Sequence, residues 1–221
     1  MEPDFWRQRW REGRIGFHRA DELPSLVRHW PSMALADAST VFVPLCGTSR
    51  DMAWLAAQGH RVVGVELVGD ALLAFFEAEG LTPESVTIST EGGSLVRHHA
   101  GPYTLFEGNL FDLDAAMLGD VAAIFDRAAL VALPPDLRRR YVAHLDRIAP
   151  MAEQLLVCLE YGEGEHEGPP FSVDADEVNA LYGAARAKAL SRQVLPKDDG
   201  PAGVTVLTEA VYRIAASRAT S

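Results

Sequence analysis

The feature that most restricts this chain is a series of short apolar runs without polar alternation, each followed by an amphipathic segment. Thr40-Val41-Phe42-Val43 is β-branched and aromatic and stops at Pro44, the pattern of a parallel strand covered on both faces. Ser49 and Asp51 stand where side-chain oxygens cap a helix whose apolar positions are Met52, Trp54 and Leu55, and Gly59 closes it. Val62-Val63-Gly64-Val65 reads as a second buried strand ending at Glu66, and Ala71, Leu72, Phe75 and Phe76 recur at helical spacing before Gly80. These segments predict a βαβαβ unit.

The alternation continues. Val121-Ala122-Ala123-Ile124-Phe125 reads as a strand ending at Asp126, and Leu137, Tyr141, Val142, Leu145 and Ile148 form one face of a helix. Gln154 to Leu159 supplies another strand, and Asp174 with Glu177 three residues on begins a helix carrying Val178, Leu181 and Tyr182. Near the C-terminus, extended stretches around Val194 and from Val204 to Ile214 flank Pro196 and Gly200-Pro201-Ala202-Gly203, which suits an antiparallel hairpin. The expected fold is α/β: a Rossmann-like, doubly wound, mostly parallel sheet with helices on both faces and an antiparallel C-terminal edge hairpin. With 221 residues and no repeat or linker, the expectation is a single domain over 1–221.

Charge and cysteine content narrow the partners. A net charge of -11 argues against general affinity for nucleic acid or an anionic membrane, because both need a basic surface. The N-terminus is charged and aromatic where a secretory signal would be apolar, and no run reaches the roughly 20 apolar residues of a membrane span, so a cytoplasmic protein is expected. Cys46 and Cys158 have no metal-ligand spacing, so reduced thiols and no metal site are expected.

In open α/β sheets ligands bind outside the carboxyl ends of the strands, which selects Leu45 to Gly47, Glu66, Asp126 and Arg127. Gly47 lies in the first strand-to-helix turn, where a missing Cβ lets backbone approach a ligand. Glu66 follows about 20 residues later, as an acidic ribose-binding residue does. Together they point to an adenosine pocket. A single turn glycine and a solvated strand-end carboxylate have commoner explanations, so the pattern alone does not decide. A nicotinamide dinucleotide is disfavoured, because Pro44-Leu45-Cys46-Gly47-Thr48-Ser49 lacks the three glycines of a pyrophosphate-binding turn.

Several longer motifs carry a family resemblance. Phe5 to Gly13 with Gly16-Phe17-His18, Pro44-Leu45-Cys46-Gly47 through Gly59-His60, Gly64-Val65-Glu66-Leu67, Asp126 to Pro134, Arg138-Arg140-Tyr141 and Gly168 to Val173 resemble, in order, the blocks of thiopurine S-methyltransferases from about Phe5 to Tyr212. The resemblance implies a small-molecule S-methyltransferase using S-adenosylmethionine and yielding S-adenosylhomocysteine, working as a monomer beneath a helical lid formed by residues 1–20. It implies cofactor contacts from Trp6, Trp10, Phe17, Leu45, Gly47, Glu66, Leu110, Phe111 and Arg127. Phe17, His18 and Arg127 would face the acceptor, with Arg127 at the reaction centre. Thr48 stands where the family often has Lys, Val68-Gly69-Asp70 replaces a Ser-led helix start, and Lys197-Asp198-Asp199 departs from a basic and aromatic C-terminal loop. The last departure bears on the acceptor, leaving selenium or tellurium species, halide and thiocyanate beside a thiopurine-like or other small thiol.

Each residue also has a plainer reading. Phe5, Trp6 and Trp10 fit an amphipathic helix that only packs, and Arg127 fits a structural ion pair. His98 and His99 are adjacent, so on a strand they point to opposite faces and cannot share a metal. His166, between Glu165 and Glu167, reads as part of a solvated loop, and Cys46 as packing. Two other classes stay open at this point: a nicotinamide-dependent oxidoreductase, and an adenosine-ligand binder without catalysis.

Overall fold

Every residue of Thr40–Pro44 (β1) is buried in the computed structural model, as expected of an apolar run covered on both faces. The structure describes residues 3–13, 21–196 and 200–218. They fall into two compact units, 1–123 and 124–221.

In the first unit, α1 (Pro3–Arg11) and α2 (Pro24–His29) precede β1. The segment before β1 is docked by polar contacts: the Leu23 amide donates to Asp51 Oδ1 at 2.7 Å, and Trp30 Nε1 to His60 Nε2 at 3.1 Å. Helix α3 (Arg50–Ala57) starts where sequence places it, with Ser49 Oγ accepting from the Asp51 amide. Strand β2 (Arg61–Glu66) and helix α4 (Gly69–Ala78) follow, the helix burying Ala71, Leu72, Phe75 and Phe76 as its spacing predicts.

The chain then departs from the simple alternation. An antiparallel hairpin of β3 (Glu84–Thr90) and β4 (Gly93–Ala100) precedes β5 (Tyr103–Glu107), which runs parallel to β2. The strand order is β3-β4-β5-β2-β1, so this unit carries an antiparallel edge of its own. Strand β3 is mostly exposed, and it therefore lacks the apolar run that reveals a buried strand. Its signal is Glu91-Gly92-Gly93 between two β-rich stretches, a hairpin turn in composition. After the 3₁₀ turn Leu110–Asp112 comes the short α5 (Ala115–Leu118), capped by Asp114.

Strand β6 (Val121–Arg127) leads into the second unit, where the order is β6-β7-β9-β8. Helix α6 (Pro135–Ile148) buries Tyr141, Val142, Leu145 and Ile148, and β7 (Glu153–Glu160) is buried over most of its length. Helix α7 (Ala175–Tyr182) begins with Asp174 accepting from the Glu177 amide. Strands β8 (Ala187–Val194) and β9 (Thr208–Ile214) form the expected hairpin, with β9 also antiparallel to β7. The second extended stretch becomes a strand only from Thr208 onward. Among the described residues, no helix is long and apolar enough to cross a membrane.

Candidate functional site

In the first unit β1, β2 and β5 are parallel neighbours, with Pro44 opposite Val65 and Glu66 opposite Glu107. Their carboxyl ends lie together, so the turns that follow them line one edge. The turn after β1 is tied to β2 by the Cys46 amide, which donates to the Val65 carbonyl at 3.0 Å. The Gly108 amide donates to the Glu66 carbonyl at 2.9 Å and ties the end of β5 to the same place. Leu45 and Gly47 both hold left-handed backbone, at φ 47° and 51°. For leucine that conformation costs about 1 kcal/mol, and it persists because the surrounding hydrogen bonds leave no alternative.

Glu66 is the centre of this edge. Its side chain is 7% exposed; Oε2 accepts from the Gly47 amide at 3.1 Å, and Oε1 from the Val68 amide at 3.0 Å. Burial pushes its carboxyl up to about 7, against the opposing pull of those amides. The Leu67 amide also lies on this carboxyl, so three backbone donors favour its charged form. A carboxylate offers about four lone-pair directions, which leaves one for a hydroxyl donor.

Trp10 lies over the turn: a Cβ built on Gly47 would come within 3.1 Å of its Cζ2 atom. The glycine therefore serves the approach of an indole as well as the positive φ. Trp6, one turn earlier on α1 and half-buried, meets Phe5 edge-on at 5.3 Å between ring centres, and Arg9 sits over the Phe5 ring. Phe17 and His18 lie outside the described residues, as do Lys197, Asp198 and Asp199.

Leu110 and Phe111 follow β5 in a 3₁₀ turn, Leu110 buried and Phe111 half-buried, with Asn109 Oδ1 accepting from the Phe111 amide at 3.1 Å. Sequence reasoning from strand ends passed over Glu107, because β5 had not been recognised. Its carboxylate lies against Gly69, where a Cβ would come within 2.3 Å of it, so negative charge meets the amino terminus of α4. It also faces His98 Nε2 at 3.4 Å, while His98 Nδ1 pairs with Ser85 Oγ at 2.8 Å. His98 and His99 face opposite ways on β4, His98 buried and His99 exposed. Cys46 and Cys158 are free, buried thiols, and burial pushes both well up, away from the reactive thiolate.

In the second unit Arg127 is the last residue of β6, directly after Asp126, and Ala128 then turns left-handed at φ 67°. Asp126 has 0% exposure. Its Oδ1 accepts from the Leu130 amide at 3.1 Å, and its Oδ2 from Tyr141 Oη at 2.7 Å and Gln154 Nε2 at 3.0 Å. Gln154 Nε2 also reaches Tyr182 Oη at 3.1 Å. Burial raises the Asp126 carboxyl to about 6. The 3₁₀ turn Leu130–Ala132 is fastened further on: the Phe171 amide donates to the Val131 carbonyl, and Arg138 Nε to the Leu133 carbonyl. Arg138, 1% exposed, binds both Glu177 oxygens at 2.6 Å and stacks over Phe171.

The profile of the thiopurine S-methyltransferase family matches residues 1–217, across both units. The chain belongs to the thiopurine S-methyltransferase family. A thiopurine S-methyltransferase of Xanthomonas campestris pv. campestris is 45% identical over 219 residues, covering 97% of this chain and 99% of the relative. One from Pseudomonas fluorescens is 43% identical over 218 residues, with coverage of 97% and 99%. Among solved structures, the Burkholderia thailandensis 1,6-didemethyltoxoflavin-N1-methyltransferase, with 1,6-didemethyltoxoflavin and S-adenosylhomocysteine bound, aligns at a TM-score of 0.61 and 17% identity, covering 96% of this chain and 87% of that one. The magnesium protoporphyrin IX methyltransferase of Synechocystis PCC 6803, with S-adenosylhomocysteine bound, aligns at 0.58 and 13%, covering 86% and 81%. These likenesses establish the Rossmann-like methyltransferase fold. The chain is accordingly an S-methyltransferase dependent on S-adenosylmethionine, which excludes the oxidoreductase reading.

Proposed function

We propose that this methyltransferase alkylates the sulfur of a thiopurine-like or other small thiol, in the cytosol, as a monomeric single-domain enzyme closed by a lid within residues 1–20. The observation that carries the assignment of the cofactor site is the buried Glu66 carboxylate, held by the Gly47 and Val68 amides in the turn that Trp10 overlies. That arrangement fits an adenosine ligand: a fixed carboxylate acceptor for a ribose hydroxyl, a turn without a Cβ, and an aromatic face. S-adenosylmethionine supplies a methyl group made electrophilic by the sulfonium charge.

The chain's own groups then do the following. Glu66 accepts from the ribose, Leu45 and Gly47 bring backbone close, and Leu110 and Phe111 present apolar surface to the adenine. Trp6 and Trp10 exclude water and favour the nearby cation by about 0.5 to 2 kcal/mol. Phe17 and His18 complete the lid on the acceptor side, a role that rests on the family resemblance. Arg127 holds the acceptor as its anion; the guanidinium stays protonated throughout the working range, so it acts by charge and not as a base. No covalent intermediate is required, because alignment of desolvated reactants accounts for much of the barrier.

A radiolabelled methyl-transfer screen over aromatic thiols, aliphatic thiols, selenols, halides and thiocyanate tests the acceptor class. Thiols should be the preferred acceptors, and Arg127→Lys and then Arg127→Ala should lower kcat/KM in that order, with smaller changes in cofactor affinity. Turnover of halide or thiocyanate without thiol methylation would overturn the acceptor assignment. Full activity in both folded variants would remove Arg127 from the acceptor side.

A further inference from the structure

We propose that Asp126 is a positioning residue for methyl transfer, its carboxylate fixing the turn from Arg127 to Leu130 and so the direction in which Arg127 leaves β6. The inference rests on the reading of Arg127 as the acceptor-side group. Asp126 is fully buried and presents no surface to a reactant, so the role proposed for it runs through what it holds.

It holds a great deal. One oxygen closes the turn through the Leu130 amide, and the other is clamped by Tyr141 from α6 and Gln154 from β7, the latter braced by Tyr182 of α7. Three elements thus fix one carboxylate, and the carboxylate fixes one turn. Within that turn Ala128 keeps a left-handed conformation that costs an alanine about 1 kcal/mol and survives only where its surroundings impose it. If the clamp loosened, Ala128 would relax, and the residue beside it, Arg127, would swing with it.

Burial itself indicates that the clamp serves more than folding. An exposed Asp or Asn would hold the Leu130 amide equally well without the cost of a buried charge. The ionised carboxylate accepts the Leu130 and Ala129 amides, Tyr141 and Gln154 at once, whereas the protonated acid must donate through one oxygen and faces at least one of them with a hydrogen. The titratable groups facing it are Tyr141, Tyr182 and Cys158, all pushed upward by burial and neutral in the working range. Asp126, raised to about 6, is the one member of this cluster that changes charge there.

The test is a double-mutant cycle of Asp126→Asn and Arg127→Ala, read as kcat with saturating S-adenosylmethionine and an aromatic thiol acceptor. Asp126→Asn should lower kcat by about tenfold to a hundredfold, the range expected when a reacting group is displaced by up to an ångström. It should also abolish an acid limb near pH 6 in kcat, and leave the thermal midpoint at pH 8 no lower than that of the unsubstituted enzyme. In the Arg127→Ala background the same substitution should change kcat less than about twofold, since the group it positions is gone. Tyr141→Phe removes one clamp hydroxyl without changing the charge, and should give a smaller loss with the same dependence on Arg127. Equal losses in both backgrounds, or losses that track the thermal midpoint, would overturn the proposal, as would unchanged kcat in both Asp126→Asn and Tyr141→Phe. If Arg127→Ala keeps full kcat, the reading of Arg127 fails and this role with it; if Arg127→Ala loses rate while Asp126→Asn does not, only the positioning role fails.

Discussion

Glu66→Gln keeps the shape of the side chain and removes its charge, and the geometry around it yields two opposing effects of known sign. The carboxylate uses both oxygens as acceptors, for the Gly47 and Val68 amides. Glutamine has one acceptor oxygen, so its NH₂ group must face one of those amides, at a cost of about 1–3 kcal/mol for a buried donor left without an acceptor. Against this, burial raises the Glu66 carboxyl from 4.5 to about 7. At about 1.4 kcal/mol per pH unit, the ionised form is disfavoured by about 3 kcal/mol at pH 8, and the substitution removes that cost. Because the folded state binds this proton more tightly than the unfolded state, the Glu66 contribution to stability falls as pH rises from 4.5 to 7 and is flat above. Urea unfolding should therefore show Glu66→Gln destabilised at pH 4.5 and within about 2 kcal/mol of the unsubstituted protein at pH 8.

Cofactor binding should move the other way. With the proposed donation of ribose hydroxyls to the ionised carboxylate, affinity for S-adenosylhomocysteine should rise with pH up to about 7, the position of the free Glu66 carboxyl. At pH 8 Glu66→Gln should weaken binding by about tenfold to a hundredfold, the loss of a charge-assisted hydrogen bond. Below pH 6 the two proteins should converge. Titration calorimetry at pH 5.5 and 8 reads both. Equal affinities at pH 8, or an affinity for the unsubstituted protein that ignores pH, would refute the role given to Glu66.

Gly47→Ala should cost about 1–2 kcal/mol in urea unfolding, since φ 51° strains any residue with a Cβ, and the new methyl would press on Trp10 and weaken S-adenosylhomocysteine binding several-fold. Hydrogen exchange of residues 3–13 should slow when S-adenosylhomocysteine is added; identical exchange would make α1 a packing helix and nothing more. Glu177→Ala leaves the buried Arg138 guanidinium without its carboxylate and should destabilise by about 3 kcal/mol, measured by denaturant unfolding; a change under 1 kcal/mol would show that solvent reaches Arg138 after all.

The elements legible in the sequence were those whose burial is two-sided or whose ends are capped. β1 and β2 carry apolar runs with no alternation, and Ser49 and Asp174 cap the helices they were read to cap. The β3–β4 hairpin was not legible because Glu84–Thr90 is an exposed edge with Ser and Thr where a core strand carries Val and Ile. Missing it hid β5, and with β5 the acidic strand end at Glu107. For Glu66 and Gly47, the rule of strand carboxyl ends selected positions that the structure joins by a hydrogen bond. What the rule could not supply was the state of those groups. That Trp10 rests on Gly47 depends on how α1 folds back. That Asp126 meets Tyr141 and Gln154 depends on pairings 15 and 28 residues apart. Spacing along the chain does not encode such distances.

Glu66 and Asp126 invite the same physical question, each within its own unit. Both sit at or near the carboxyl end of a strand, both are buried, and both are raised by burial despite several donors. A chain selected for stability alone would place an amide or an apolar side chain at such positions, because an ionised carboxylate in a dry interior costs more than its hydrogen bonds return. The proposed roles account for that cost by requiring an acceptor that stays fixed and unhydrated: Glu66 for a ligand's hydroxyls, Asp126 for the turn that aims Arg127. The two are distinguishable by where their protonation is felt. Loss of charge at Glu66 should appear in cofactor affinity and vanish from kcat once the cofactor saturates. Loss of charge at Asp126 should persist in kcat under saturation. An acid limb of kcat at saturating cofactor that survives Asp126→Asn and is lost in Glu66→Gln would reverse the assignment, making Glu66 a participant in the rate-limiting step and Asp126 a structural acid.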